Sequence, residues 1–244
     1  MGDGMPMGMM MGMDPLYMVV FVITMVVSMI AQFWIKSSFS KYSKIRTARG
    51  MTGAQAAKAM LDAEGITDVQ IRRFEGGTLS DHYDPTTKII NLSPDVYDYP
   101  SIAAVGVACH EAGHALQHAK HYGPLKLRSM LVKPASIGAR YSVYLIMAGL
   151  IFQLLGVAKI GLLLFGVSFL FQVVTLPVEI NASIRSKRAL LADGIITPGA
   201  EANGVTAVLT SAAFTYIAAA FSSLAMLLYY AYRLGLLGGR RNND

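Results

Sequence analysis

Apolar residues are gathered along this chain into long blocks separated by stretches of ordinary polarity. Residues 16–35, LYMVVFVITMVVSMIAQFWI, run for twenty positions without a formal charge, enough at about 1.5 Å per residue to cross the hydrocarbon core of a bilayer. Three further blocks, 141–157, 160–178 and 206–230, have the same character, and the first two are so close that a tight turn around Lys159 is expected to join them. The pattern predicts four transmembrane helices. The first block lacks the basic leader and small-residue cleavage site of a secretory signal, and Trp34 with Lys36 marks an interface. It is therefore read as an uncleaved anchor over 16–35.

Between the anchor and the second block the pattern changes period. In residues 36–140 Thr52 is placed to cap an amphipathic helix that runs to about Ala63 and is ended by Gly65. VQIRRFEGGTLSDHYDPTTKIINLSPDVY then reads as short strands, with Asp84-Pro85 starting a turn between SDHY and KIINL and Ser93-Pro94-Asp95 closing the hairpin. A second helix is expected from about Ser101 to His121. After the third block Pro177 is expected to bend or end the span, and a polar segment occupies 179–205. The last span, 206–232 at its widest, is rich in Ala and Ser, which suits close helix packing in lipid, and 233–244 forms a polar tail.

Composition agrees with a polytopic membrane protein. Of 244 residues 54% are hydrophobic and only 15% charged, against about 25% charged in an average soluble domain. The net charge of +6 needs no nucleic-acid partner, since Lys and Arg beside spans orient the chain and meet anionic lipid headgroups. Residues 1–35 hold no Lys or Arg, whereas 36–49 hold five, 120–140 five more and 185–188 three. That distribution places the N-terminal tail outside and both polar segments in the cytoplasm of a cell (plasma or inner) membrane. Arg233, Arg240 and Arg241 oppose this scheme, because a fourth span carries them outside. The single cysteine, Cys109, excludes an internal disulfide and a multi-thiolate metal site. The Met- and Gly-rich opening, residues 1–15, offers soft thioethers for copper but reads on composition as a disordered tail.

The chemistry lies in HEAGH, residues 110–114. On a helix His110 and His114 stand at i and i+4, one turn apart on one face, so both imidazoles can meet one zinc ion. Glu111 sits beside them, placed to take a proton from a water activated by that ion. With five His and five Glu in the chain, chance yields roughly 0.002 H-E-x-x-H matches. The apolar flanks, VGVAC and AL, put the motif on a buried helix.

A zinc site that keeps one position open needs a third protein ligand. His118 is eight residues beyond His110, about 12 Å along an unbroken helix, so both cannot bind one ion. His118 and His121 are read as surface or supporting residues. Glu179, the first charged residue after the third block, returns to the membrane face of HEAGH after two crossings and is the preferred third ligand. Its alternative is an interfacial carboxylate paired with Arg185 or Lys187.

The chain resembles the YugP-type membrane zinc metallopeptidases. The resemblance rests on FSKYSKI after the anchor, LSDHYDPTTKIINLSPDVY, SIAAVGVACHEAGHALQHA and LPVEINASIRSKRAL, and covers most of residues 30–195. Motif order is also similar to that of the HtpX-type membrane proteases, in which a Glu beginning E-x-x-A-D completes the zinc site. The resemblance implies one zinc on His110, His114 and Glu179 with Glu111 as general base. The chain departs from the HtpX-type pattern at Ser183, where an aspartate would orient a liganding histidine, and leaves Asn181 and Ser183 as replacements. His82 and Tyr83 of DHYDP, or Arg185 and Arg188, are candidate oxyanion or substrate contacts. Equally, DHYDP can simply shape a turn, and the arginines can face anionic lipid.

The expectation is an α+β membrane protein: four transmembrane helices and a small zincin-like domain at the cytoplasmic face, built from 36–140 and 179–205 around a transmembrane hairpin over 141–178. Its expected function is zinc-dependent endopeptidase activity on membrane-associated or misfolded polypeptides, with membrane lipids as the other partner. Hydrolysis of another bond, such as a lipid amide, and a non-catalytic scaffold with a structural metal are the alternatives.

Overall fold

A computed structural model describes residues 14–77 and 80–237. The Met-rich segment expected to be disordered and the last residues of the C-terminal tail lie outside the described residues, apart from Asp14 and Pro15. The chain is mostly helical, with one small sheet. In order it forms α1 (Pro15–Tyr42), α2 (Gly53–Ala63), β1 (Gln70–Arg73), β2 (His82–Asp84), β3 (Ile89–Leu92), α3 (Pro94–Tyr97), α4 (Ile102–Ala119), α5 (Gly123–Ile151), α6 (Leu155–Ala192) and α7 (Ala200–Arg233). The described residues divide into two compact units, one from residues 31–126 and 176–215, the other from 14–30, 127–175 and 216–237.

The first unit has a continuous apolar core. Helix α2 starts as its sequence dictates: Thr52 Oγ1 accepts from Gln55 N, while Thr52 N donates to Gln55 Oε1, forming a reciprocal capping box. Its end lies at Gly65, whose φ of +72° is the left-handed conformation that glycine adopts without strain. Ala56, Ala57, Met60 and Leu61 form the buried face of α2. A Cβ on Gly53 would meet the carbonyl oxygens of Val96 and Ala104 at 2.1 and 2.8 Å, so only glycine lets α2 approach α3 and α4 so closely. The sheet has the order β1-β3-β2, with β1 parallel and β2 antiparallel to β3. Ile90 and Leu92 of β3 are fully buried, each contributing about 1.5–3 kcal/mol.

Ser93-Pro94-Asp95 does not close the hairpin as expected. Ser93 stands at the N-cap of α3, and Pro94 occupies the first turn, where its missing N–H costs nothing. The tie across the hairpin runs instead through Asp81, which accepts from Ser93 N at 2.7 Å and from Ser93 Oγ at 3.0 Å.

In the second unit the expected turn around Lys159 is displaced. Helix α5 ends at Ile151, α6 begins at Leu155, and Lys159 lies inside α6; Gln153, at φ +56°, makes the reversal. Close packing sets this register, because Cβ atoms on Gly149 and Gly161 would meet Ala158 N at 2.4 Å and Ile146 N at 2.7 Å. Among the described residues three helices, α1, α6 and α7, are long and apolar enough to cross a membrane. Four were expected. The remaining block, 141–157, covers the end of α5, the reversal and the first residues of α6, and the part of α5 before it carries Lys126, Arg128, Lys133 and Arg140. Large apolar side chains such as Met29, Tyr144 and Leu163 stand exposed along these helices, a surface suited to lipid rather than water.

Pro177 does not end α6, which runs on to Ala192. A proline inside a helix loses one hydrogen bond at a cost of about 3 kcal/mol. Beyond it, Val178, Ala182, Ser186 and Leu190 are fully buried, and their packing holds the helix through the defect.

Candidate metal centre

Helix α4 is the central element of the first unit, with fourteen of its eighteen residues buried. It starts where Ser101 Oγ accepts from Ala104 N at 3.1 Å, and Ala, Val and Leu surround HEAGH on nearly every side. Gly113, inside the motif, permits the contact that matters most. A Cβ there would stand 2.7 Å from the Ala182 carbonyl oxygen, so the bare glycine lets the backbone of α6 lie directly against α4. Glu179 and Ser183, one turn apart on α6, thereby reach the histidines.

The three candidate ligands converge. One ligand atom from each of His110, His114 and Glu179 lies within 4.8 Å of the others. Glu179 Oε2 is 3.1 Å from His110 Nε2 and 3.5 Å from His114 Nε2, and the imidazoles stand nearly perpendicular at 84°. Glu179 is only 2% exposed. The other ring nitrogens point outward to partners: His110 Nδ1 is 3.2 Å from Ser183 Oγ, and His114 Nδ1 is 3.0 Å from Gln117 Oε1. Two inward-facing Nε2 atoms and a carboxylate oxygen, each imidazole held from behind, fit a divalent zinc ion with an open fourth position. The salt-bridge alternative does not occur in its expected form: Glu179 faces the histidines, while Arg185 Nε donates to Asn181 Oδ1 at 2.7 Å.

Glu111 is buried beside this cluster, and its Oε2 accepts from the backbone N–H of Tyr83 at 2.9 Å. Burial pushes its carboxyl above the usual glutamate range, partly offset by the two nearby histidines.

The remaining candidates fall elsewhere. The exposed His82 has Nδ1 2.9 Å from Ser80 O and Nε2 3.2 Å from Asn91 Nδ2, and packs edge-on against Phe74. Tyr83 Oη lies 2.8 Å from His118 Nδ1, so His118 supports the strand beside Glu111 and lies outside the ligand cluster. Tyr83, pushed up to about 12 by burial and by Asp68 and Asp84, keeps its proton at neutral pH. Arg185 stacks over the Tyr122 ring at 5.7 Å, while Arg188 and His121 are exposed. Sequence reasoning missed Gln117, which is fully buried. Its position three residues after His114, on the same helical face, was the available signal.

Residues 17–235 match the family described as "Putative neutral zinc metallopeptidase". A relative from Bacillus subtilis (strain 168), named "Putative membrane protease YugP", is 43% identical over 213 residues, covering 87% of this chain and 93% of the relative. No solved structure matches significantly. The family match spans nearly the whole chain, both the helix bearing HEAGH and the helix bearing Glu179, and the protein belongs to this zinc metallopeptidase family.

Proposed function

We propose that the protein is a membrane-embedded zinc endopeptidase that cleaves membrane-associated or misfolded polypeptides, with one zinc held by His110, His114 and Glu179. The observation that carries this reading is the convergence of two Nε2 atoms and one carboxylate oxygen beside a buried Glu111. A zinc ion there supplies a Lewis acid that polarises the scissile carbonyl and lowers the pKa of water. Glu111 accepts the proton of the attacking water and delivers it to the departing amine. The Tyr83 N–H orients the Glu111 carboxylate for both transfers.

Strand β2 supports a polypeptide substrate. Among the described residues it is an edge strand, paired with β3 alone, and its other side meets Glu111 through Tyr83 N. An extended peptide added along this edge would run past the general base. His82, Tyr83, Arg185 and Arg188 remain candidates for substrate or oxyanion contact, although the first three side chains already have protein partners.

Three apolar helices support a multi-pass membrane protein. The end of α5 is the proposed fourth span, and the Lys and Arg of 36–49, 120–140 and 185–188 support a catalytic domain, from 36–140 and 179–205, at the cytoplasmic face. Glu111→Gln tests the reading: the purified variant is expected to retain zinc by metal analysis while losing about 10²–10⁴-fold in casein cleavage. Unchanged turnover would overturn the assignment.

A further inference from the structure

Behind His114 a line of hydrogen bonds takes its direction from two groups of fixed polarity, the Arg185 guanidinium and the Val178 carbonyl. A guanidinium can only donate, and Arg185 Nε donates to Asn181 Oδ1 at 2.7 Å. Arg185 is steadied by lying 5.7 Å from the Tyr122 ring centroid. Its donation turns the carbonyl oxygen of Asn181 toward the line, and the same oxygen accepts from Gln117 Nε2 at 3.1 Å. The second Gln117 amide hydrogen goes to the Val178 carbonyl at 2.7 Å. With both hydrogens engaged, Gln117 offers His114 only Oε1, at 3.0 Å. A protonated Nδ1 alone can meet that oxygen, which leaves the His114 Nε2 lone pair facing Glu179.

Rotating the Gln117 amide by half a turn would set its oxygen against two acceptors and leave their bonds unmade in a fully buried place, where such a loss is costly. The direction of the line is therefore unique. His110 has no equivalent, because the Ser183 hydroxyl near its Nδ1 can donate or accept.

We propose that Arg185, acting through Asn181 and Gln117 and together with the Val178 carbonyl, is a positioning residue that holds His114 in the tautomer whose Nε2 binds the metal. The inference rests on the reading of His114 as a zinc ligand. Gln117 also grips the backbone one residue before Glu179, so the same line holds the ligand-bearing turns of α4 and α6 together. Arg185 is thus a determinant of metal affinity that touches neither the metal ligands nor Glu111.

The test uses the full chain in detergent, with zinc affinity measured by chelator competition and the nitrogen-15 spectrum of labelled histidines recorded in the metal-free protein. Asn181→Leu removes the shared acceptor, and Arg185→Leu removes the anchor; each is expected to weaken zinc about 10–100-fold and to add a second set of His114 ring signals. Asn181→Asp keeps an acceptor for both neighbours and is expected to bind within about threefold of wild type, a ratio far below that outer-ligand effect. Melting of the metal-free proteins separates this from a merely structural role. Leucine variants that melt lower but bind zinc as tightly as wild type, with one set of His114 signals, would overturn the relay. So would an Asn181→Asp protein as weak as Asn181→Leu. Wild-type protein that takes up no zinc would instead remove the underlying reading of the metal site.

Discussion

Helices α4 and α6 bring complementary parts of one site by different physical means. Helix α4 carries His110, Glu111 and His114 within five residues, oriented by helical geometry alone, in a segment buried on nearly every side. Helix α6 begins with many exposed apolar side chains and joins the core of the first unit beyond Pro177, where Val178, Ala182 and Leu190 are buried. Glu179 and Ser183 have no motif of their own to position them. They reach the site because Gly113 lets the two backbones touch at Ala182. A local constellation tolerates changes in its surroundings, whereas one completed from a second helix depends on the contact that joins them.

The strongest way to break the pairing is Glu179→Ala. Zinc affinity is expected to fall by more than the 10–100-fold typical of residues that merely support a ligand, as read by competition titration. In the wild type a chelator should lower the melting temperature, because zinc held about 1,000-fold above its Kd stabilises the folded state by about 4 kcal/mol. In Glu179→Ala the chelator should have little effect. Equal sensitivity in both proteins would show that α6 contributes no ligand.

Gly113→Ala sharpens the comparison through its sign. Glycine to alanine in a helix interior ordinarily stabilises by about 1 kcal/mol. Here the new methyl meets a backbone carbonyl oxygen at 2.7 Å, so the expected result is destabilisation by about 1–3 kcal/mol and weaker zinc binding. Denaturant unfolding with and without chelator distinguishes the two contributions, and a stabilised variant would mean that α4 and α6 can part without loss.

A smaller effect is expected from Ser183→Ala, which removes the hydroxyl 3.2 Å from His110 Nδ1. Zinc affinity should fall about tenfold, the low end for outer partners of a liganding histidine. A far larger loss would place Ser183 closer to the chemistry than its distance implies. Smallest is Thr52→Ala, which breaks the capping box of α2: stability should drop by about 1 kcal/mol, with zinc affinity unchanged in the same titration.

Much of this was legible in residue order. The i, i+4 spacing of His110 and His114 and the neighbouring Glu111 are properties of any helix. Thr52 and Gly65 marked the ends of α2 within a residue or two, since capping is a local interaction. The strand positions on either side of Asp84-Pro85 were equally local. Elsewhere packing overrode local signals. Pro177 suggested a break that the buried face of α6 prevents. The turn between α5 and α6 lies before Lys159, where Gly149 and Gly161 admit close backbone contact between the two helices. Ser93-Pro94-Asp95 reads as a turn and forms a helical one.

The sequence by itself determined which chemical groups share a helical turn, which segments are too apolar for water, and where helix α2 begins and ends. Each depends on interactions spanning no more than a few residues or on composition summed over a block. Only the tertiary structure decided that Glu179 faces the two Nε2 atoms, that Gln117 and Ser183 stand behind the rings, and that Tyr83 N–H holds Glu111. Those contacts join residues as much as 73 positions apart. Their geometry depends on two helices meeting at a glycine, and helical periodicity carries no information about which face of a distant helix will be opposite.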